Sequence, residues 1–139
     1  MATERTVVGD WKGGWLCEVT AGEFTMLVDE PESVPGGTNR GPQPTDLLLA
    51  SVSSCFTLAL SFAARKRSIE LDFVHVEATG TYEGPMFRSI KIVAHVGCAE
   101  TELDRLMSTA ERVCYVTNTL RGGVELVFES STDLPTPVA

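Results

Sequence analysis

Positive charge is scarce in this chain. Eleven Lys and Arg face nineteen Asp and Glu, a net charge of −8. Nucleic-acid binders draw affinity from a basic surface, so no nucleic-acid partner is expected. The same deficit argues against an anionic membrane surface. Histidine is scarcer still, with only His75 and His95. Neither lies near a cysteine in sequence, and no two cysteines stand in C-x-x-C spacing. A zinc centre therefore has no support, and neither a metal nor a cofactor is expected. The N-terminus, Met1-Ala-Thr-Glu-Arg, lacks the apolar run of a secretory leader. That implies a cytoplasmic location, where Cys17, Cys55, Cys98 and Cys114 stay free thiols in place of structural disulfides.

What remains is one globular domain over residues 1–139, with a Pro/Thr-rich tail from about 130. Residues 4–11 and 15–29 read as short strands broken at Gly13-Gly14 and Ala21-Gly22. Residues 30–44 hold four prolines and three glycines and form a loop long enough to suggest function. Residues 47–64 carry no charge over eighteen positions. That reaches the lower limit for a membrane span, but the serines and threonine within it favour a helix buried on all sides of a protein core. Pro44 suits the first turn, Asp46 the positive end of the helix dipole, and Arg65-Lys66-Arg67 the negative end.

Residues 70–82 and 87–97 alternate with period two. Val74, Val76 and Ala78 share one face, as do Ile90, Ile92, Ala94 and Val96. Both histidines fall on the opposite, polar face. Residues 100–117 form an amphipathic helix whose apolar stripe includes Leu103, Leu106, Met107, Ala110, Val113 and Cys114. Residues 124–128 read as a last strand. The order is βββ-α-ββ-α-β, an α+β fold with antiparallel sheets around a long central helix. One small sheet covers one face of that helix, so the other face requires a second copy, an intertwined homodimer.

Cys55 lies midway along the central helix and Cys114 on the stripe of the second. They could be two small buried hydrophobes. They could also be a reactive pair, one thiolate attacking an O–O bond and the other condensing with the resulting sulfenic acid. Cys55 is too deep in its helix for the dipole to lower its pKa, so a cation must come from elsewhere. Arg40 and Lys12, both in Gly-rich turns, are the candidates, and Arg40 is preferred for its planar fork of donors. Asp46 could orient it. Cys17 and Cys98 are read as structural.

Segment 41–56, GPQPTDLLLASVSSCF, resembles the first-cysteine signature of the OsmC/Ohr family. Segment 110–120, AERVCYVTNTL, resembles its second-cysteine motif, and EATGTY, FRSIKIVAHV and the early DEP also fit. The likeness runs from about Val8 to Phe128 and points to the broader OsmC-like branch. It implies an interwoven dimer and thiol-dependent reduction of organic hydroperoxides or hydrogen peroxide. It also implies a dithiol reductant, lipoyl-type in the Ohr branch. Cys55 falls on the peroxidatic position and Cys114 on the resolving one. Two departures stand out. Thr45 occupies the place of a family Glu, with Asp46 next to it. The turn Trp11-Lys12-Gly13-Gly14-Trp15 lacks the family Arg. The competing reading is a small-apolar-ligand binder of the same fold, with structural cysteines.

Overall fold

A computed structural model describes residues 2–136. Three short strands open the chain: β1 (Val8–Trp11), β2 (Cys17–Ala21) and β3 (Phe24–Val28). They form an antiparallel meander in the order β1-β2-β3, with Trp11 opposite Cys17 and Cys17 opposite Val28. Because side chains alternate across a strand, this register places Trp11, Val19, Phe24 and Met26 on one face. Much of that face is left bare by its own chain, with Trp11 77% and Phe24 72% exposed, while Val28 on the same face is buried.

The helix α1 (Pro44–Lys66) follows, then a hairpin of β4 (Val74–Glu83) and β5 (Met86–Val96). Val74 pairs with Val96, Val76 with Ala94 and Ala78 with Ile92. The inward side chains of this hairpin pack on α1 around Phe56, Ala59, Leu60, Ala63 and Ala64, as the period-two pattern requires. Gly80 sits under the Phe87 ring, where a Cβ would overlap it. His75 lies opposite His95 on the outer face, and Glu77 approaches both imidazoles, at 3.9 and 3.6 Å. The helices α2 (Glu100–Val113) and α3 (Tyr115–Gly122) close the core with Leu106, Ala110 and Cys114.

Three differences from the sequence reading have physical causes. First, the helix expected over 100–117 breaks at Cys114. The Cys114 N–H still donates to Ala110, and its carbonyl already accepts from Asn118, both at 3.0 Å. The Asn118 side chain donates to the Arg112 carbonyl at 3.0 Å and caps the end of α2. β-Branched Val113, Val116, Thr117 and Thr119 weaken a continuous helix there. Second, residues 124–128 form no strand. A strand needs a partner backbone, and the single chain offers this segment none: Phe128 is 89% exposed. The observed order is βββ-α-ββ-α-α. Third, α1 is long and apolar enough to cross a membrane, but it is a core helix buried on one side only. Leu58 on its open side is 69% exposed. The tail expected from about 130 has no regular structure as far as residue 136, and 137–139 lie outside the described residues.

The 30–43 loop is tightly held. Asp29, buried at the end of β3, accepts from the Glu30 N–H (2.7 Å), the Thr38 hydroxyl and the Arg40 N–H (3.1 Å). Trp15 donates its indole N–H to the Pro35 carbonyl at 2.8 Å. The Thr38 hydroxyl, above all, holds the Asp29 carboxyl below its usual range, against the opposing effect of burial. The backbone N–H groups of Arg40 and Glu30 act with it.

A folded-state pKa below the unfolded one adds stability that is complete above the unfolded value, about 4. That stability is lost as pH falls through the lowered folded value. Asp29→Ala should therefore lower the urea midpoint at pH 7 and flatten its further decline towards pH 3. Parallel denaturation curves at pH 7, 5 and 3 check this. An equal acid sensitivity in both proteins would remove Asp29 from the account.

Candidate active site

Cys55, Leu58, Ala59 and Phe62 recur on one face of α1 at three- and four-residue spacing, the spacing that aligns side chains on a helix. Arg112 and Val113 from the last turn of α2, and Tyr115 from the start of α3, face them. Together they line a cleft of about 530 Å³. Its walls are aliphatic and aromatic, its one cation is Arg112, and its one thiol is Cys55. The Arg112 guanidinium also donates to the Thr109 hydroxyl at 3.3 Å.

Cys114 stands behind Cys55, fully buried. As the joint residue it is both the C-cap of α2 and the N-cap of α3. It stands at the start of α3, where the helix dipole favours negative charge, and its carbonyl accepts from the Thr117 hydroxyl at 3.4 Å. Burial pushes the thiol up. The polar groups of Thr117 and Val116 at the start of α3, with the neighbouring Cys55 thiol, outweigh it and hold Cys114 below an ordinary cysteine. Cys55 packs against the core cluster that includes Cys114. The arrangement provides a half-buried sulfur on the wall of a cleft and a second, buried sulfur in the adjoining core.

The other candidates sit elsewhere. The Thr45 hydroxyl pairs with the Tyr82 hydroxyl at 2.8 Å, tying the start of α1 to β4. Asp46 accepts from the Gln43 N–H at 3.2 Å and caps α1. It is nine residues before Cys55, about 13 Å of helix rise. Lys12 approaches Glu18 at 3.9 Å within the first sheet. Arg40 is exposed, and its backbone N–H is held by Asp29. Neither Lys12 nor Arg40 lines the cleft within one chain; the cation there is Arg112, which the sequence reading passed over. Its position two residues before Cys114, in the final turn of an amphipathic helix, is the signal that could have found it. Phe62 lines the cleft, whereas Phe56 is buried in the core. Cys98 packs against that core, and Cys17 is half-buried in β2.

An uncharacterised protein of Acinetobacter baylyi is 30% identical over 115 residues, 77% of this chain and 80% of that one. The OsmC-like protein of Mycoplasma pneumoniae superposes with a TM-score of 0.76 at 19% identity, over 88% of this chain and 90% of that one. An organic hydroperoxide resistance protein of Elizabethkingia anophelis gives 0.64 at 26% identity, over 90% and 94%. Residues 37–129 match the family described as OsmC-like protein, and this chain belongs to it.

Proposed function

We propose that the protein is a thiol-dependent peroxidase of organic hydroperoxides in the cytoplasm. The observation that carries the reading is that Cys55 lines an apolar cleft and packs against the core cluster that holds the buried Cys114. The likeness to a hydroperoxide resistance protein adds support.

A hydroperoxide with an apolar substituent fits walls made by Leu58, Ala59, Phe62 and Val113. The Cys55 thiolate attacks the terminal peroxide oxygen, the O–O bond breaks, and the alkoxide leaves. Arg112 is the cation available to the charge that develops there. Cys55 becomes a sulfenic acid, and the Cys114 sulfur displaces its oxygen as water to give a disulfide. The disulfide is returned to two thiols by a dithiol reductant through exchange. Arg112 takes the place first assigned to Arg40 or Lys12. A second copy of the chain completes the molecule, covering the bare faces of α1 and of the first sheet.

One equivalent of cumene hydroperoxide should consume two thiols and produce a Cys55–Cys114 link in peptide maps. Linkage to Cys17 or Cys98 would refute the pairing. Retention of both thiols, with cumene hydroperoxide recovered unchanged, would favour the ligand-binding alternative.

A further inference from the structure

Three cations converge at one corner of this acidic chain. Lys66 and Arg67 come from the end of α1, and Arg112 from the last turn of α2. With Ala63 and Thr109 they line a pocket of about 250 Å³. Among the described residues none of the three forms an ion pair. Glu111, next to Arg112 in sequence, lines a different cavity with Met107 and Arg121. Basic residues at a helix end ordinarily serve its last carbonyls. Here backbone N–H groups already do part of that. The Ala64 carbonyl accepts from Arg67 and Ile69, and the Arg65 carbonyl from Ser68. The buried Thr109 hydroxyl accepts from Arg112 at 3.3 Å, which leaves its own proton for a ligand. The net charge of −8 does not forbid an anion at this corner, because charges farther away than about 8 Å are largely screened at physiological salt.

The pocket adjoins the cleft. Arg112 lines both, and the Lys66 ammonium stands 5.6 Å from the centre of the Phe62 ring, itself a cleft wall. We propose that the pocket is an anion site for phosphate, free or as a phosphomonoester, and that its occupant draws Arg112 away from the cleft. Phosphate carries close to two negative charges near neutral pH and several acceptor oxygens. Two planar guanidinium forks, an ammonium and a hydroxyl match that set. A lone carboxylate would leave part of this positive charge unmatched. The site stands without the peroxidase reading; only the effect of its occupant on turnover rests on it. A guanidinium held by phosphate is no longer free to meet the negative charge that develops on the leaving oxygen.

Titration calorimetry of the full chain with inorganic phosphate, at an ionic strength held constant with chloride, should show one saturable site per chain. Lys66→Gln and Arg67→Gln should each weaken it about tenfold, the effect of losing one charge-assisted contact. Both side chains are exposed, so neither change disturbs the core. Hexyl phosphate separates the two sources. If it binds more tightly than inorganic phosphate, the occupant is a phosphomonoester whose apolar tail enters the cleft. Equal binding identifies the free ion. Saturating phosphate should lower kcat for cumene hydroperoxide about tenfold with KM unchanged, the loss expected of Arg112→Ala. Lys66→Gln should keep the basal rate and resist inhibition at the same concentration. No saturable binding, or equal binding in both variants, would overturn the site. Binding without slower turnover would overturn the coupling through Arg112. Binding by a chain that consumes no hydroperoxide would refute the peroxidase reading and leave the site in place.

Discussion

Replacing Cys55 with serine should reduce hydroperoxide consumption to the uncatalysed rate. A hydroxyl neither ionises near neutral pH nor forms a stable equivalent of the sulfenic acid, so both steps are lost together. Cys55 is also the only sulfur that lines the cleft, and the fully buried Cys114 sulfur does not replace it. Arg112→Ala tests the environment in place of the nucleophile. Removal of the single cation from the cleft wall should slow peroxide consumption about tenfold, the equivalent of roughly 1.4 kcal/mol in the barrier. Arg40→Ala is the informative comparison. If it slows the reaction as much and Arg112→Ala does not, the loop supplies the cation across the subunit boundary. A coupled assay with cumene hydroperoxide and hydrogen peroxide reads all three variants. Persistent turnover in Cys55→Ser would sink the proposed chemistry.

The second large effect concerns assembly. The chain exposes 11015 Å², whereas a compact monomer of 15.0 kDa would expose about 7,000 Å². Part of the exposed area is apolar. The open side of α1 shows Leu48, Leu58 and Phe62, and one face of the first sheet shows Trp11, Phe24 and Met26. A sheet face and a helix side, each apolar and each bare, are complementary. A second copy can supply both at once, on the scale of an obligate homodimer interface, about 2,000–5,000 Å². Sedimentation at low micromolar concentration should therefore give twice 15.0 kDa. The thermal midpoint should rise with concentration, since folding and association are then one equilibrium. Met26→Asp puts a charge on the sheet face, far from either reactive sulfur in sequence. It should yield a destabilised protein of monomer mass or no folded protein. A stable monomer of the unaltered chain would refute the pairing of these surfaces.

Much of this could be read in the sequence because its signals are local. Strict alternation over 74–82 and 87–96 fixed which side chains face α1, and the observed register keeps them together. The uncharged run of 47–64, with acid before it and base after it, marked the long helix. The helix break at Cys114 was not legible. The apolar spacing continues through it, and the cap that ends α2 comes from Asn118, beyond the break. The pairing of residues 124–128 was beyond reach for a different reason: the alternation Val124, Leu126, Phe128 describes a strand, but not whose backbone it meets. Arg40 drew attention because it lies in a Gly-rich turn. Arg112 did not, because a basic residue in a last helical turn already has an ordinary explanation in the helix dipole.

The knot around Asp29 bears on how this chain can vary. Surface connections are usually where sequences drift and lengthen. Here the backbone crosses itself at close range. A side chain at position 37 would meet the carbonyls of Glu30 and Pro31, and one at position 41 would run into the Leu27 carbonyl. Those contacts are with main chain, which cannot step aside as a flexible side chain can. The segment between the first sheet and the central helix therefore behaves, towards substitution, as the interior does, while the outer face of the hairpin is free to diverge.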